Sequence, residues 1–459
     1  MILKQYYLGC LAHASYLIGD EDTGTGIVVD PQRDVDQYLS DADGHGLTIR
    51  YVFLTHFHAD FLAGHLELRE RCGAKIVLGA KADAEFEFTR AADGDRFESG
   101  GIRLEILETP GHTPEGISIL VYDLVQDAGK PHAVLTGDTL FIGDVGRPDL
   151  MASIGITAEE LAEMLYDSLR NKLMKLPDAT LVYPAHGAGS MCGKNLSTDT
   201  VSTIGTQRRH NYALQPMNKD EFVALVTAGQ TEAPGYFAYD AALNKKERQT
   251  LRRSLEQALK PLSLEEVLRL RNQGAQVLDV RDAAHYAGAH IADSIHIGLD
   301  GKFATWAGTV LDRERPIVVV AEPGGEGEAV IRLGRIGFDH VAGFLADGMI
   351  ALENHPDLLR RTERVTASTL AQQLQAETPP VVLDVRTKNE RQAGFIEGSL
   401  HVPLHQLRDR CDEVPKDRPV VIHCARGYRS SIAASILEQR GLSNILDLVG
   451  GFAAWQASA

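Results

Sequence analysis

Several residue types are scarce in this chain, and each shortage excludes a class of protein. Only 5 cysteines occur among 459 residues, a small and odd number that excludes a disulfide scaffold and indicates a reducing compartment. Basic residues are also in deficit, since 46 Lys and Arg stand against 63 Asp and Glu, for a net charge of −17. This charge argues against nucleic acid and against anionic membranes as partners.

Long hydrophobic runs are absent as well. The longest, such as 317–321 (IVVVA), have the length of a strand and fall far short of the roughly 18 residues of a membrane span. The N-terminal stretch has neither a sustained apolar core nor a small-residue cleavage site, so it does not resemble a signal peptide. With 44% hydrophobic and 24% charged residues the composition is globular. We expect a soluble cytoplasmic protein of about three domains, at roughly 150 residues each.

The first half of the chain alternates short β-branched runs with loops. Runs bounded by Gly, Pro, Asp or Thr are typical of strands, and they cover 27–29, 49–54, 76–78, 102–107, 133–135 and 181–183. Helical segments lie between some of them, at 62–71 and 158–173, and 205–262 reads as surface helices and a charged connector. Strands and helices are mixed, which predicts an α/β or α+β architecture.

Chelating side chains follow several of these strands directly. The side chains that stand just after a predicted strand are His56, His58, Asp60, His112, Asp138 and His186. Strand ends allow residues that are distant in sequence to converge on one point. Neutral imidazoles together with carboxylates bind Zn²⁺ or non-haem iron. The sequence therefore predicts a metal site in the first half of the chain.

The order and spacing of these residues resemble the metallo-β-lactamase superfamily, an αββα sandwich with its metal at one sheet edge. The hydrolases of that superfamily bind two metals with the motif H-x-H-x-D-H. In this chain Phe61 replaces the last His of the motif, so the second site has lost a ligand. Because activation of a bridging hydroxide needs both metals, this departure disfavours a binuclear zinc hydrolase.

A finer resemblance is to the persulfide dioxygenase branch. It rests on stretches that cover most of residues 1–215, namely CLAHASYLIG, THFHADFLAGH, TPGHTPEGISI, TGDTLFIGDVGRPDL, YPAHGAGSMCGK and STIGTQRRHNYAL. The resemblance implies one Fe(II) per chain, held by His56, His112 and Asp138, with zinc as an alternative metal in the purified protein. A facial triad of this kind leaves coordination positions for O₂, water and the substrate sulfur.

The same resemblance implies roles for the other chelators and for three more residues. The remaining chelators would orient ligands or water, or else hold part of a second metal site: His58, Asp60 and His186. Arg147 would steer an anionic persulfide, and its alternative role is a structural ion pair with Asp149 or Asp144. Thr113 and Tyr183 are weaker candidates for contact with substrate.

The second half of the chain contains an internal repeat. Five residues of one copy recur at a constant spacing in the next, since Asp279, Arg281, Ile291, Ser294 and His296 correspond to Asp384, Arg386, Ile396, Ser399 and His401. Alternation of strands and helices in both copies predicts two small α/β units with parallel sheets. We expect Asp384 and Arg386 to form a structural pair.

Cys424 follows the apolar run 420–423 and begins a glycine-containing loop that leads into a helix. Backbone N–H groups at such a turn stabilise an anion, and Arg426 and Arg429 add positive charge. This arrangement suits a thiolate that carries sulfur as a persulfide. The other residues of the predicted persulfide loop are Ala425, Gly427 and Tyr428.

The loop, together with LDVR at 383–386 and GGFAAW from Gly450, resembles the rhodanese sulfurtransferases over about residues 363–459. In the preceding copy Ala321 stands at the position of Cys424, and Glu326 at that of Arg429. That copy has no nucleophile, so we interpret it as a degenerate rhodanese domain retained for docking or assembly. The predicted domains are 1–250, 251–362 and 363–459.

The combined resemblance is to fusions of a persulfide dioxygenase with a sulfurtransferase. It implies that O₂ oxidises a low-molecular-weight thiol persulfide to sulfite, and that Cys424 transfers sulfur while making or using thiosulfate, in sulfide detoxification. It also implies a homodimer or homotetramer. Two alternatives stay open, namely a binuclear zinc thioester hydrolase of the glyoxalase II type and a non-catalytic sulfur carrier or persulfide sensor.

Overall fold

The computed structural model describes residues 1–150, 155–230 and 233–458. Within these residues no helix is both long and apolar enough to cross a membrane. All five cysteines are described, and all five are free thiols.

The chain folds into two compact units. One comprises Met1–Leu251 together with the short segment Gly334–Gly337, and the other comprises Arg252–Leu333 and the residues from Phe338 onward. The first unit contains two six-stranded sheets. The second contains two five-stranded sheets and a two-stranded one.

The first sheet of the first unit has its strands in chain order. They are β1 (Ile2–Leu8), β2 (His13–Asp20), β3 (Thr25–Val29), β4 (Thr48–Phe53), β5 (Lys75–Gly79) and β6 (Thr89–Ala91). β1 to β3 pair antiparallel, whereas β3 to β6 pair parallel. β2 and β3 are buried along their whole length.

The second sheet of this unit has the order β12-β11-β10-β9-β8-β7. Its strands are β7 (Arg96–Ser99), β8 (Ile102–Glu108), β9 (Ile117–Asp123), β10 (Ala133–Gly137), β11 (Leu181–Pro184) and β12 (Ser202–Thr203). Only β10 and β11 pair parallel among these strands. Along β8 buried residues alternate with half-buried ones, as expected where one face of a strand is covered.

The two sheets of the first unit pack face to face. Their shared core includes Tyr16 and Phe53 from the first sheet and Leu104 and Ile119 from the second. Helices lie outside this core: α1 (Asp36–Gly44), α2 (His65–Cys72), α3 (Ala158–Asn171), α4 (Ile204–His210), α5 (Lys219–Thr227) and α6 (Phe237–Leu243). The next helix, α7 (Leu251–Ala258), belongs to the second unit from Arg252 onward. A capping box at Thr157 begins α3. The predicted αββα sandwich is confirmed.

The second unit contains two parallel sheets with the same strand order, β13-β18-β17-β14-β16 and β20-β24-β23-β21-β22. The strands are β13 (Pro261–Leu262), β14 (Gln276–Asp279), β15 (His290–Ile291), β16 (Ile295–His296), β17 (Ile317–Val320), β18 (Val341–Leu345), β19 (Leu359–Arg360), β20 (Glu363–Val365), β21 (Val381–Asp384), β22 (Leu400–His401), β23 (Val420–His423) and β24 (Ile445–Leu448). The helices are α8 (Leu264–Asn272), α9 (Ala283–Gly288), α10 (Phe303–Val310), α11 (Glu326–Arg335), α12 (Ala367–Gln373), α13 (Lys388–Gln392), α14 (Tyr428–Gln439) and α15 (Gly451–Ser458).

Strand register shows that the repeat in the sequence is a repeat of structure. Asp279 pairs with His296 across β14 and β16, and Asp384 pairs with His401 across β21 and β22. Nε and Nη2 of Arg386 donate to the two carboxylate oxygens of Asp384 at 3.0 Å and 2.8 Å. This pair is buried at the end of β21, so the predicted pairing of the two residues is confirmed.

Candidate metal centre and cysteine loop

Three strand ends of the first unit bring His56, His112 and Asp138 together. His56 follows β4, His112 follows β8 and Asp138 follows β10. The Nε2 atoms of His56 and His112 lie 3.8 Å and 3.5 Å from Oδ2 of Asp138. Ligand atoms that each lie about 2 Å from one ion are separated by roughly 3–4 Å. The three buried side chains are therefore spaced as ligands of a single metal ion.

Hydrogen bonds on the outer side of each imidazole leave its Nε2 facing the cluster. Nδ1 of His112 donates to the carbonyl oxygen of Arg147 at 2.9 Å. Nδ1 of His56 lies 3.0 Å from Oγ1 of Thr55, whose hydroxyl in turn donates to Asp30 at 2.8 Å. Burial lowers the pKa of both histidines, so both rings are neutral. Such partners fix the tautomer that binds a metal through Nε2.

Asp30 supports the pocket although the sequence did not single it out as a functional residue. Its carboxylate accepts both the N–H and the hydroxyl of Thr55, each at 2.8 Å, and Oδ1 lies 3.1 Å from Nε2 of His58. The residue is fully buried and has a φ of +49°. A non-glycine residue in this region costs on the order of 1 kcal/mol or more. The only signal in the sequence is a carboxylate placed directly after the run 27–29.

A second group of chelators lies beside the first, formed by His58, Asp60 and His186. Nδ1 of His186 contacts Asp138 at 2.8 Å, and its Nε2 lies 3.0 Å from Oδ2 of Asp60, off the direction of a hydrogen bond. Burial lowers the pKa of His186, but the carboxylates of Asp138 and Asp60 outweigh it and hold that pKa well above its usual value. Conversely, burial raises the pKa of Asp138, but His186 and His56 hold it well below its usual range. His186 is thus held against the carboxylate of Asp138 by a short polar contact.

The apolar ring of Phe61 packs beside this second group. Its ring is fully buried and lies 4.5 Å from the ring of His58 and 4.1 Å from that of His13. His13 begins β2 and is also fully buried, and neither of its ring nitrogens has a hydrogen-bond partner among the described residues. His13 could not be selected from the sequence, because a single histidine at a strand start carries no distinctive pattern.

The donor set fits one metal ion. Two neutral imidazoles and one carboxylate form the combination that holds non-haem iron, and zinc accepts the same donors. The adjoining pocket is lined by the three ligands together with Thr55, Thr109, Thr113, Gly116, Ile117 and Thr139. Oγ1 of Thr113 is buried there and has no hydrogen-bond partner among the described residues. Its predicted contact with substrate stays a prediction.

Arg147 and Tyr183 are placed differently from Thr113, and neither is among the described residues that line the pocket. Arg147 is 1% exposed, and its Nε and Nη2 donate to Asp149 at 2.6 Å and 2.8 Å. The ion pair with Asp149, which was an open alternative in the sequence, is therefore formed. The contact of Arg147 with the histidine cluster is made by its backbone carbonyl oxygen, which accepts from Nδ1 of His112. Tyr183 packs beside Tyr16 at the core between the sheets. For both residues, direct contact with substrate stays a prediction.

The loop after β23 surrounds Cys424 with backbone. The N–H of Gly427 donates to Sγ of Cys424 at 3.1 Å, and Gly427 has a φ of +110°, which only glycine adopts readily. The N–H of Phe452 donates to the carbonyl oxygen of Cys424 at 2.8 Å. A Cβ at Gly451 would lie 2.5 Å from that same oxygen, which explains the second glycine of the GGFAAW stretch. Cys424 is 2% exposed.

The two arginines of the loop differ in their surroundings. Arg429 forms a two-pronged ion pair with Glu390, at 2.7 Å and 2.6 Å. Burial raises the pKa of Glu390, but the hydrogen bond from Arg429 outweighs it and lowers that pKa to about 2. Arg426 is exposed. The positive charge expected from Arg429 is therefore balanced by a carboxylate, and Arg426 is the cation that faces solvent.

The equivalent loop of the first rhodanese-like copy is built from acidic residues. Ala321 is buried at the position of the nucleophile. Glu326 accepts the N–H of Gly324 at 2.9 Å, and Glu322 lies 2.9 Å from Nδ1 of His285. Carboxylates at these positions disfavour an anion, so the absence of sulfur binding in this copy stays a prediction.

Comparison with known families finds one family in the first half of the chain and another, twice, in the second half. The family described as the metallo-beta-lactamase superfamily matches residues 8–186, and the rhodanese-like domain matches residues 263–355 and 366–458. The chain belongs to the metallo-β-lactamase superfamily, as a fusion of that domain with two rhodanese-like domains.

Individual relatives carry two different activities. The mitochondrial persulfide dioxygenase ETHE1 of Bos taurus is 31% identical over 237 residues, which cover 49% of this chain and 80% of the relative. A cytoplasmic hydroxyacylglutathione hydrolase of Arabidopsis thaliana is 35% identical over 187 residues, 40% of this chain and 67% of that protein. A crystal structure of a metallo-β-lactamase from Staphylococcus aureus subsp. aureus COL has a TM-score of 0.68 at 31% identity, covering 75% of this chain and 98% of that one. The fold is thus shared by an oxygenase and a hydrolase, and the site has to distinguish them.

Proposed function

We propose that the first domain is a mononuclear non-haem iron dioxygenase that oxidises a low-molecular-weight thiol persulfide, and that Cys424 transfers sulfane sulfur. The observation that carries this proposal is the buried group of two histidines and one aspartate, beside which the buried Phe61 stands where the motif of the binuclear hydrolases has its last His. The persulfide dioxygenase among the relatives supports the same reaction.

The oxidation balances without a further reductant. One persulfide, one O₂ and one water give one thiol, one sulfite dianion and two protons, and the terminal sulfur is the atom oxidised. His56, His112 and Asp138 would hold the iron, which when bound supplies coordination positions for O₂ and sulfur. His186 would keep Asp138 oriented, and the hydroxyl of Thr113, which has no partner among the described residues, would donate to the substrate.

Cys424 would carry one sulfur atom between small molecules. Its thiolate attacks the outer sulfur of thiosulfate or of a persulfide, a new S–S bond forms, and sulfite or a thiol leaves with the bonding electron pair. The reverse step returns that sulfur to sulfite as thiosulfate. The N–H of Gly427 stabilises negative charge on the Cys424 sulfur in both directions. A cytoplasmic location, a role in sulfide detoxification and assembly as a homodimer or homotetramer belong to the same proposal.

A binuclear zinc hydrolase is the second candidate, because hydroxyacylglutathione hydrolases are among the relatives. Metal content separates the two reactions. The dioxygenase requires one iron per chain, whereas the hydrolase requires two zinc ions. Phe61→His would restore the lost ligand and should raise zinc binding towards two per chain, with Phe61→Leu as the control that adds no donor.

The test of the proposed function is an oxygen electrode measurement on anaerobically prepared, iron-loaded protein with a panel of persulfides, beginning with glutathione persulfide. We expect oxygen uptake with sulfite formed in equal amount. Hydrolysis of a glutathione thioester without oxygen uptake would support the hydrolase. Sulfur bound at Cys424 with neither activity would support the sulfur carrier or sensor.

A further inference from the structure

One face of α14 is occupied by polar contacts to the degenerate rhodanese copy. Tyr428, Ser431, Ser435 and Glu438 recur every three or four residues, so they lie on the same side of the helix. α14 begins directly after Gly427, the residue whose N–H reaches the sulfur of Cys424. The helix that supports the sulfur-carrying loop is therefore also the helix that contacts the other copy.

Each of these four residues has a partner in the degenerate copy. The hydroxyl of Tyr428 donates to the carbonyl oxygen of Gly298 at 2.7 Å. Further along the helix, Oγ of Ser431 lies 3.0 Å from Nδ1 of His296, and Oγ of Ser435 accepts the N–H of His296 at 3.1 Å. Glu438 lies 3.0 Å from Nε2 of His290. The contacts thus run from the first turn of α14 to its last.

The two histidines at this interface are held in defined orientations. Burial lowers the pKa of His296, so its ring is neutral. Nε2 of His296 donates to the carbonyl oxygen of Arg281 at 2.9 Å, which leaves Nδ1 to accept from the hydroxyl of Ser431. His290 stacks on Tyr286 with ring centres 3.8 Å apart. Both rings are fully buried, and so they form a rigid surface for α14.

The aromatic ring of Tyr428 also rests on backbone of the degenerate copy. A Cβ placed at Gly301 would lie 2.3 Å from atoms of that ring, so only glycine leaves room for it. Burial raises the pKa of Tyr428, which keeps its hydroxyl protonated as the donor to Gly298. Ring and hydroxyl together hold Tyr428 in one position.

The position of Tyr428 determines the position of the amide before it. Gly427 immediately precedes Tyr428, and the N–H of Gly427 is 3.1 Å from Sγ of Cys424. A fixed amide stabilises a developing charge without reorganisation, and this effect depends on placement to within a fraction of an ångström. A contact made outside the catalytic domain therefore acts on the reactive sulfur through two consecutive residues.

We propose that the degenerate rhodanese copy is a positioning domain for Cys424, and that it acts by clamping Tyr428 between the carbonyl oxygen of Gly298 and the backbone at Gly301. The proposal rests on the proposed sulfur-carrier function of Cys424. Tyr428 is a positioning residue in this scheme, since it acts through Gly427 and not by contact with substrate.

Two full-length variants test the clamp from its two sides. Gly301→Ala places a methyl group against the Tyr428 ring from the degenerate copy, and Tyr428→Phe removes only the hydroxyl. Gly288→Ala is the matched control, because it adds the same methyl group to the same copy at a place with no atom within 4 Å. The readouts are kcat and KM for sulfur transfer from thiosulfate to cyanide, the rate at which iodoacetamide alkylates Cys424, and the thermal unfolding temperature.

We expect both clamp variants to lower kcat by about tenfold and to slow the alkylation of Cys424, while KM stays within about twofold, as for a misplaced catalytic group. Gly288→Ala should match wild type, and oxygen uptake should not change in any variant.

Wild-type kcat and alkylation rates in both clamp variants would overturn the positioning role. Absence of Cys424-dependent transfer in wild type would instead overturn the proposed function, and the alkylation rates would still decide the role of the clamp. If Gly301→Ala unfolds, Tyr428→Phe decides alone.

Discussion

The candidate metal pocket of the first unit and the Cys424 loop of the second are built in opposite ways. In the pocket, side chains from three separate strand ends converge, and each imidazole is oriented by a further partner. In the loop, backbone surrounds one side chain, and the N–H of Gly427 meets the sulfur. The pocket therefore depends on the identity of several side chains, whereas the loop depends on backbone shape and a single cysteine. The copy with Ala321 illustrates the dependence on a single cysteine. Its sheet has the same strand order as the copy with Cys424, but the nucleophile is absent.

Removing one ligand should separate the two sites most sharply. We expect His56→Ala to reduce oxygen uptake with glutathione persulfide by about a thousandfold or more, because two remaining ligands hold iron poorly. Sulfur transfer from thiosulfate to cyanide should be unchanged. Iron content and oxygen uptake measured on the same sample check this. Oxygen uptake at the wild-type rate would remove His56 from the metal site.

The reciprocal change is Cys424→Ser. A hydroxyl replaces the thiolate, and the backbone of the loop is kept, so we expect sulfur transfer to disappear while oxygen uptake stays at the wild-type rate. Mass spectrometry after incubation with thiosulfate should show the added sulfur in wild type and none in the variant. Sulfur retained on the variant would place the carrier on another of the five cysteines.

A smaller effect is expected where a residue acts on the pocket through others. Asp30→Asn keeps the size of the side chain but weakens the acceptor for the hydroxyl of Thr55, which orients His56. We expect iron affinity or oxygen uptake to fall by about 10- to 100-fold, as for other residues that orient metal ligands. Metal titration followed by oxygen uptake measures both. Wild-type values for the two would show that Asp30 serves the fold alone.

The smallest expected effect concerns the stability of the unit that contains the cysteine loop. Asp447 in β24 is 3% exposed, and its Oδ1 has no hydrogen-bond partner among the described residues. Burial raises the pKa of its carboxyl to about 6. Between about pH 4 and pH 6 the unfolded chain loses this proton before the folded chain does, so stability falls as pH rises through that window.

Asp447→Asn cannot ionise and should remove that loss. We expect the variant to be more stable than wild type by about 1–3 kcal/mol near neutral pH and equal to it near pH 4. Thermal unfolding curves at both pH values provide the measurement. A stabilisation that is independent of pH would contradict the titration of Asp447.

Local patterns in the sequence predicted most of the fold and the principal residues of both sites. Short runs followed by His or Asp located the candidate metal ligands, because strand ends meet at one edge of a sheet. The constant spacing between matching residues, such as Asp279 and Asp384, located the two copies of the repeat. Asp30 and His13 were not predicted, since their roles depend on contacts with distant residues. The hydrogen bond between Tyr428 and Gly298 is also a tertiary contact, and no local pattern encodes it.

The central claim is that one iron, held by His56, His112 and Asp138, oxidises a persulfide. Its most direct test is simultaneous measurement of metal content, oxygen uptake and sulfite on iron-loaded Cys424→Ser protein, in which sulfur transfer cannot contribute. The account predicts one iron per chain and one sulfite formed for each O₂ consumed. Two metal ions per chain with no oxygen uptake from any persulfide would contradict it.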